Sequence, residues 1–103
     1  MSNSKINKYL QTYKRKPNNL DNIRLLVAEY KKINDIENVI RFQKKRAKLT
    51  TAIDERGVTL NEIGVLYFNL EQFKSAIKYF NKVLEIKELF EVLNNITNCY
   101  GRL

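Results

Sequence analysis

The sequence predicts an all-α chain built from antiparallel helix-turn-helix repeats stacked one on the next. Three observations point there. Residues 60–84, LNEIGVLYFNLEQFKSAIKYFNKVL, read as two short amphipathic helices joined by a tight turn. Their large apolar residues are Leu60, Ile63, Tyr67, Phe73, Ile77, Phe80 and Leu84, and small Gly64, Ser75 and Ala76 fall where the helices meet. The chain holds only 3 Gly and 1 Pro, too few punctuators for many short strands. Tyr30, Tyr67 and Tyr100 recur at matching points of three helical stretches, 37 and 33 residues apart. A single helix pair cannot bury its apolar surface, so it must lean on neighbours.

The elements follow in order. A first helix spans about Ser4–Lys16, with Ile6, Tyr9, Leu10 and Tyr13 as its stripe. Pro17 stops it, since the residue before proline is pushed out of the helical region. Asn19 caps a second helix, Leu20–Ile33, which buries Leu20, Ile23, Leu26, Val27, Tyr30 and Ile33. Asn34 and Asp35 break it, and Asp35 caps a third helix from Ile36 whose inner side is Ile36, Val39, Ile40, Ala47 and Leu49. That helix is expected to continue through Thr50 and Thr51 to Glu55, with Gly57 as its terminator. A fourth opens at Thr59, where Glu62 completes a capping box, and runs to Leu70. A fifth covers Glu71–Ile86. A sixth covers Glu88–Leu103 with the stripe Leu89, Val92, Leu93, Ile96, Tyr100 and Leu103. Phe90, Leu93, Cys99 and Leu103 give the sixth helix a second apolar side, which suits a homodimer or a further repeat.

Charge is unevenly placed. The net charge is +8, and residues 1–56 carry 14 Lys/Arg against 6 Asp/Glu while residues 57–103 carry 5 against 5. The excess is therefore local to the first half. Arg41, Lys44, Lys45 and Lys48 share one face of the third helix, a candidate patch for nucleic acid or another polyanion. The same residues suit a solvated outer face. Histidine is absent and Cys99 is the single cysteine, which excludes an internal disulfide, a Cys/His metal site and a His-based triad within one chain. There is no glycine-rich phosphate loop, so neither a catalytic residue nor a cofactor is assigned. Cys99 reads as core packing. No apolar run approaches a membrane span and the start lacks the apolar core of a signal peptide, so a cytoplasmic location is expected.

The segment 57–90 resembles the tetratricopeptide repeat (TPR) family. Leu60, Ile63-Gly64 and Tyr67 match the first-helix pattern, and Phe73, Ala76, Phe80 and Val83 follow in the second, with Val83 and Glu88 as departures from the final small residue and the closing proline. Residues 20–53 match through Ile23, Leu26 and Tyr30, but Val27 replaces the Gly, and Val39, Gln43 and Arg46 replace Ala, Phe and Ala. Three extra residues separate this repeat from the next, roughly one helical turn. The resemblance implies one helical-repeat domain over 1–103, a short superhelix. Its parts are a leading helix 1–19, a degenerate repeat 20–56, a clear repeat 57–89 and a partial repeat or capping helix 90–103. It also implies a non-catalytic scaffold or adaptor that holds a protein or peptide on a concave face. Carried over position by position, that face comprises Arg24, Ala28 and Lys31, then Asn61, Val65 and Phe68, then Asn94, Asn98 and Arg102. A carboxylate clamp of the family's Lys/Asn/Lys/Arg type is missing, because Ala28 and Glu62 stand where Asn is needed.

Overall fold

The computed structural model describes the backbone of residues 2–86 and 90–103 and the side chains of residues 4–86 and 95–103. Six helices appear, with no strand among the described residues: α1 (Ser2–Arg15), α2 (Leu20–Lys32), α3 (Ile36–Leu49), α4 (Ile53–Asn69), α5 (Phe73–Ile86) and α6 (Phe90–Arg102). The chain is all-α and follows the pattern of a helical repeat. It divides into two compact units, residues 1–50 and 51–103.

In the first unit α2 packs against both α1 and α3. Asn19 caps α2 as expected, its side chain accepting from the Asn22 amide at 3.1 Å. Asn22 is itself buried and donates from Nδ2 to the Tyr9 carbonyl at 2.9 Å, which ties α2 to α1. Asp35 caps α3 through the Asn38 amide at 3.3 Å. Ile6, Ile23, Leu26, Val27, Tyr30, Val39, Ile40, Phe42 and Ala47 are buried. Phe42, absent from the expected stripe, is 1% exposed and organises an aromatic cluster: Tyr13 meets it edge-on at 5.2 Å and Tyr30 stacks on it at 5.8 Å. Ile33, expected inside, is the C-cap of α2 and is exposed.

In the second unit α4 packs on α5, α5 on α6, and α6 also touches α4. Leu60, Ile63, Ala76, Ile77, Phe80, Val83 and Cys99 are buried. Gly64 faces Phe80 so closely that a Cβ added there would lie 2.6 Å from Cδ1 and 2.9 Å from Cζ of the ring. The ring thus fills the α4–α5 contact, and the small residue is what lets the helices meet.

The two hairpin turns are copies of one another. At the first, the Asp35 amide donates to the Tyr30 carbonyl at 3.0 Å and Asn34 to Lys31 at 3.1 Å. At the second, Gln72 donates to Tyr67 and Glu71 to Phe68, both at 2.9 Å. Asn34 and Glu71 have φ of 57° and 60°. Each turn is a Schellman motif, with a left-handed residue closing the helix. Asn tolerates that conformation and Glu does not gain from it, so sequence alone placed Glu71 in the next helix. α5 begins instead at Phe73.

Helix boundaries between the units differ from the expected ones. α3 ends at Leu49, and Thr50 leaves the helix with ψ 123°, its hydroxyl donating to the Arg46 carbonyl at 2.8 Å. α4 then runs unbroken from Ile53 through Gly57 and Thr59. Gly57 is therefore no terminator, and no glycine has a positive φ. Thr59 forms no capping box: it is buried within the helix, and its hydroxyl donates back to the Glu55 carbonyl at 2.9 Å. A serine or threonine bonding one turn back satisfies itself inside a helix, so the Thr-x-x-Glu spacing does not require a start. The N-cap, Ala52, makes no side-chain cap bond. α4 has 17 residues where α2 has 13, so the surplus between the repeats is a further turn at the front of α4.

A Cβ added at Gly57 would meet nothing within 4 Å. Gly57→Ala should therefore raise stability by about 0.5–1 kcal/mol, the helix-interior difference between the two residues. Urea unfolding of the full chain measures it. A destabilised variant would mean that the backbone at 57 is left-handed and the helix is broken there.

α6 turns Cys99, not Tyr100, inward: Cys99 is fully buried while Tyr100 and Leu103 are each 62% exposed. One residue is about 100° of helix rotation, so burying Cys99 carries its neighbour outward. Ile96 is half-buried. Leu89 lies outside the described residues, as do the expected start at Glu88 and the side chains of Phe90, Val92 and Leu93. Burial pushes the Cys99 thiol above its ordinary pKa, which disfavours the reactive thiolate.

Candidate interaction faces

The second unit presents part of one face from two helices. Asn61, Val65 and Phe68 sit at helical spacing on α4, and Asn98 and Arg102 on α6. The two rows meet at their ends, where the Arg102 guanidinium lies over the Phe68 ring, 5.5 Å from its centre. Phe68 also meets Phe73, edge-on at 5.3 Å. A guanidinium over an aromatic face keeps its in-plane N–H donors for another acceptor. Val65 and Asn98 are exposed, which leaves an apolar spot and an amide beside that cation. Asn61 is half-buried, and its Oδ1 is buried with no hydrogen-bond partner among the described residues. It offers less than the two-sided amide its position suggests. The Asn94 side chain lies outside the described residues.

In the first unit, Arg24, Ala28 and Lys31 share one face of α2. Ala28 and Lys31 are exposed, and Arg24 is half-buried and paired with Asp21 at 3.2 Å. Of the basic residues of α3, Arg41 and Lys48 are exposed while Lys44 and Lys45 are half-buried. Arg41 lies over the Phe42 ring at 4.7 Å.

Sequence reasoning missed two features. Gln43 is wholly buried where the second repeat has Phe80; its Oε1 accepts from Arg46 at 3.4 Å and its Nε2 has no hydrogen-bond partner among the described residues. Hydropathy does not announce an amide in a core, but the repeat alignment, which sets Gln43 at the Phe80 position, does. The second is a cleft of about 500 Å³ lined by Asn7, Leu10, Gln11, Tyr13 and Lys14 of α1 and by Arg41 of α3. Asn7 and Gln11 lie outside the apolar stripe expected of α1, and only the fold brings them to Arg41.

Two helix pairs with matched turns, the second with Gly64 at its crossing, define a helical-repeat chain. The family model of the tetratricopeptide repeat matches residues 58–88, so the α4–α5 segment is a tetratricopeptide repeat. Repeats of this family generally mediate protein–protein interaction. No curated protein matches the chain. No helix among the described residues is long and apolar enough to cross a membrane.

Proposed function

We propose that the chain is a non-catalytic adaptor that holds a protein or peptide on the exposed faces of its first-in-pair helices. The observation that carries this reading is the junction of α4 and α6 at Phe68 and Arg102, flanked by exposed Val65 and Asn98. An extended segment laid there meets an apolar contact, an amide for its main chain and a cation for a carboxylate, the mixture that peptide grooves use. Arg24, Ala28 and Lys31 offer a second set of the same kind on α2. The work is done by shape and hydrogen bonding.

A photo-crosslinking residue placed at Val65 or Asn98 should capture a polypeptide at least about tenfold more efficiently than one at Lys78, an exposed residue of α5. The combined change of Arg24, Asn61 and Asn94 to alanine should abolish that capture and leave the far-ultraviolet circular dichroism unchanged. Equal capture at Lys78, or capture indifferent to the triple change, would remove the proposal.

A further inference from the structure

The cleft of the first unit is lined by none of the residues of the faces just described and has its own chemistry. Its walls come from two helices that both pack on α2. Its volume, about 500 Å³, falls within the range of roughly 300–1,000 Å³ typical of ligand-holding clefts.

The α1 wall is built in two rows. Asn7 and Gln11 stand four residues apart, as do Leu10 and Lys14. Four helical residues advance about 6 Å along the axis. An extended peptide repeats on one side every two residues, about 6.6 Å. The amides of Asn7 and Gln11 are thus spaced to meet alternate peptide units, each offering a donor and an acceptor. Leu10 and Tyr13 supply an apolar strip, and Tyr13 is steadied by its edge-on contact with Phe42.

Charge selects the occupant. Lys14 of α1 and Arg41 of α3 both line this cleft, and no acidic residue among the described residues does. Arg41 is laid over Phe42, which fixes its plane while its N–H edge remains available to a carboxylate. Lys44, Lys45 and Lys48 are not among the lining residues. A short cleft with two cations, two amides and an apolar strip differs from a phosphate-tracking groove, which uses a longer run of cations and exposed stacking rings.

We propose that this cleft binds an extended acidic peptide segment. Lys14 and Arg41 hold its carboxylate, Asn7 and Gln11 hold its main chain, and Leu10 and Tyr13 take the apolar side chain next to the acid.

The test is fluorescence anisotropy with the full chain and a capped, fluorescein-labelled hexapeptide of alternating leucine and glutamate. Parallel probes are its leucine–glutamine counterpart and a labelled hexauridylate. Binding of the glutamate peptide should weaken about tenfold in Lys14→Gln and in Arg41→Gln, the loss of one charge-assisted contact each. Arg41→Lys should recover only part of it, because the fork is missing. Lys48→Gln should bind as the parent does. Amide NMR shifts on adding the peptide should centre on Asn7, Gln11 and Arg41. Circular dichroism of each variant confirms that the helices persist. Equal affinity for the glutamate and glutamine peptides would overturn the proposal. So would equal losses in Lys48→Gln, no peptide binding at millimolar concentration, or tighter binding of the hexauridylate with losses spread over Lys44, Lys45 and Lys48.

Discussion

Phe42→Ala is expected to destabilise the chain by about 3–5 kcal/mol, the usual cost of emptying a buried phenylalanine site. The ring is 1% exposed and touches three partners: Tyr13 edge-on, Tyr30 in a stack and Arg41 above its face. Such ring pairs add about 0.5–1.5 kcal/mol each beyond the area they bury. Tyr13 comes from α1, Tyr30 from α2 and Phe42 from α3, so one side chain joins all three helices of its unit. Removing it leaves two tyrosines without their common neighbour and a cavity that stiff helices cannot close. Urea unfolding followed at 222 nm gives the magnitude. Near-ultraviolet circular dichroism, which reads the tyrosines, should change even where helices survive. A loss below about 1 kcal/mol would mean that the aromatic cluster is not the centre of this unit.

Gly64→Ala should cost about 1–3 kcal/mol, although alanine is the better helix former by about 1 kcal/mol. The added methyl would press on the face of Phe80, whose ring is 1% exposed and has no space to retreat into. Either the ring leaves its rotamer or α4 and α5 move apart along a contact that also holds Leu60, Ile63, Ala76 and Ile77. The sign contrasts with Gly57→Ala, seven residues earlier on the same helix, where the new methyl meets nothing. Propensity cannot distinguish these two glycines; only the facing helix does. A second change, Phe80→Leu, makes room for the methyl, so the double variant should be more stable than the sum of the single losses predicts. Strict additivity would show that the two positions do not touch.

Much of the fold was legible because its signals are local. Asn19 and Asp35 cap α2 and α3 as their positions require, and the apolar stripes of α2 and α5 name most of the buried residues. Errors arose where two readings share a local pattern. Thr59 with Glu62 spells a helix start, yet the same hydroxyl bonds one turn back inside α4. Gly57 spells a helix end, yet it lies mid-helix with nothing against it. Burial of Gln43 and the inward turn of Cys99 depend on tertiary neighbours and leave no trace in hydropathy. The candidate faces were legible only as sequence positions. That Arg102 lies over Phe68, and that the Asn61 oxygen is buried, are facts of packing between helices and were beyond any spacing rule.

The longer α4 bears on how the gene can change. Ile53 to Arg56 begin at an alanine that offers no cap, and Ile53 is 65% exposed. A duplication or deletion of three or four codons at that spot shifts the helix by close to one revolution, so every residue downstream keeps its bearing toward its own partners. The uneven intervals, 37 residues from Tyr30 to Tyr67 against 33 from Tyr67 to Tyr100, match one such added revolution.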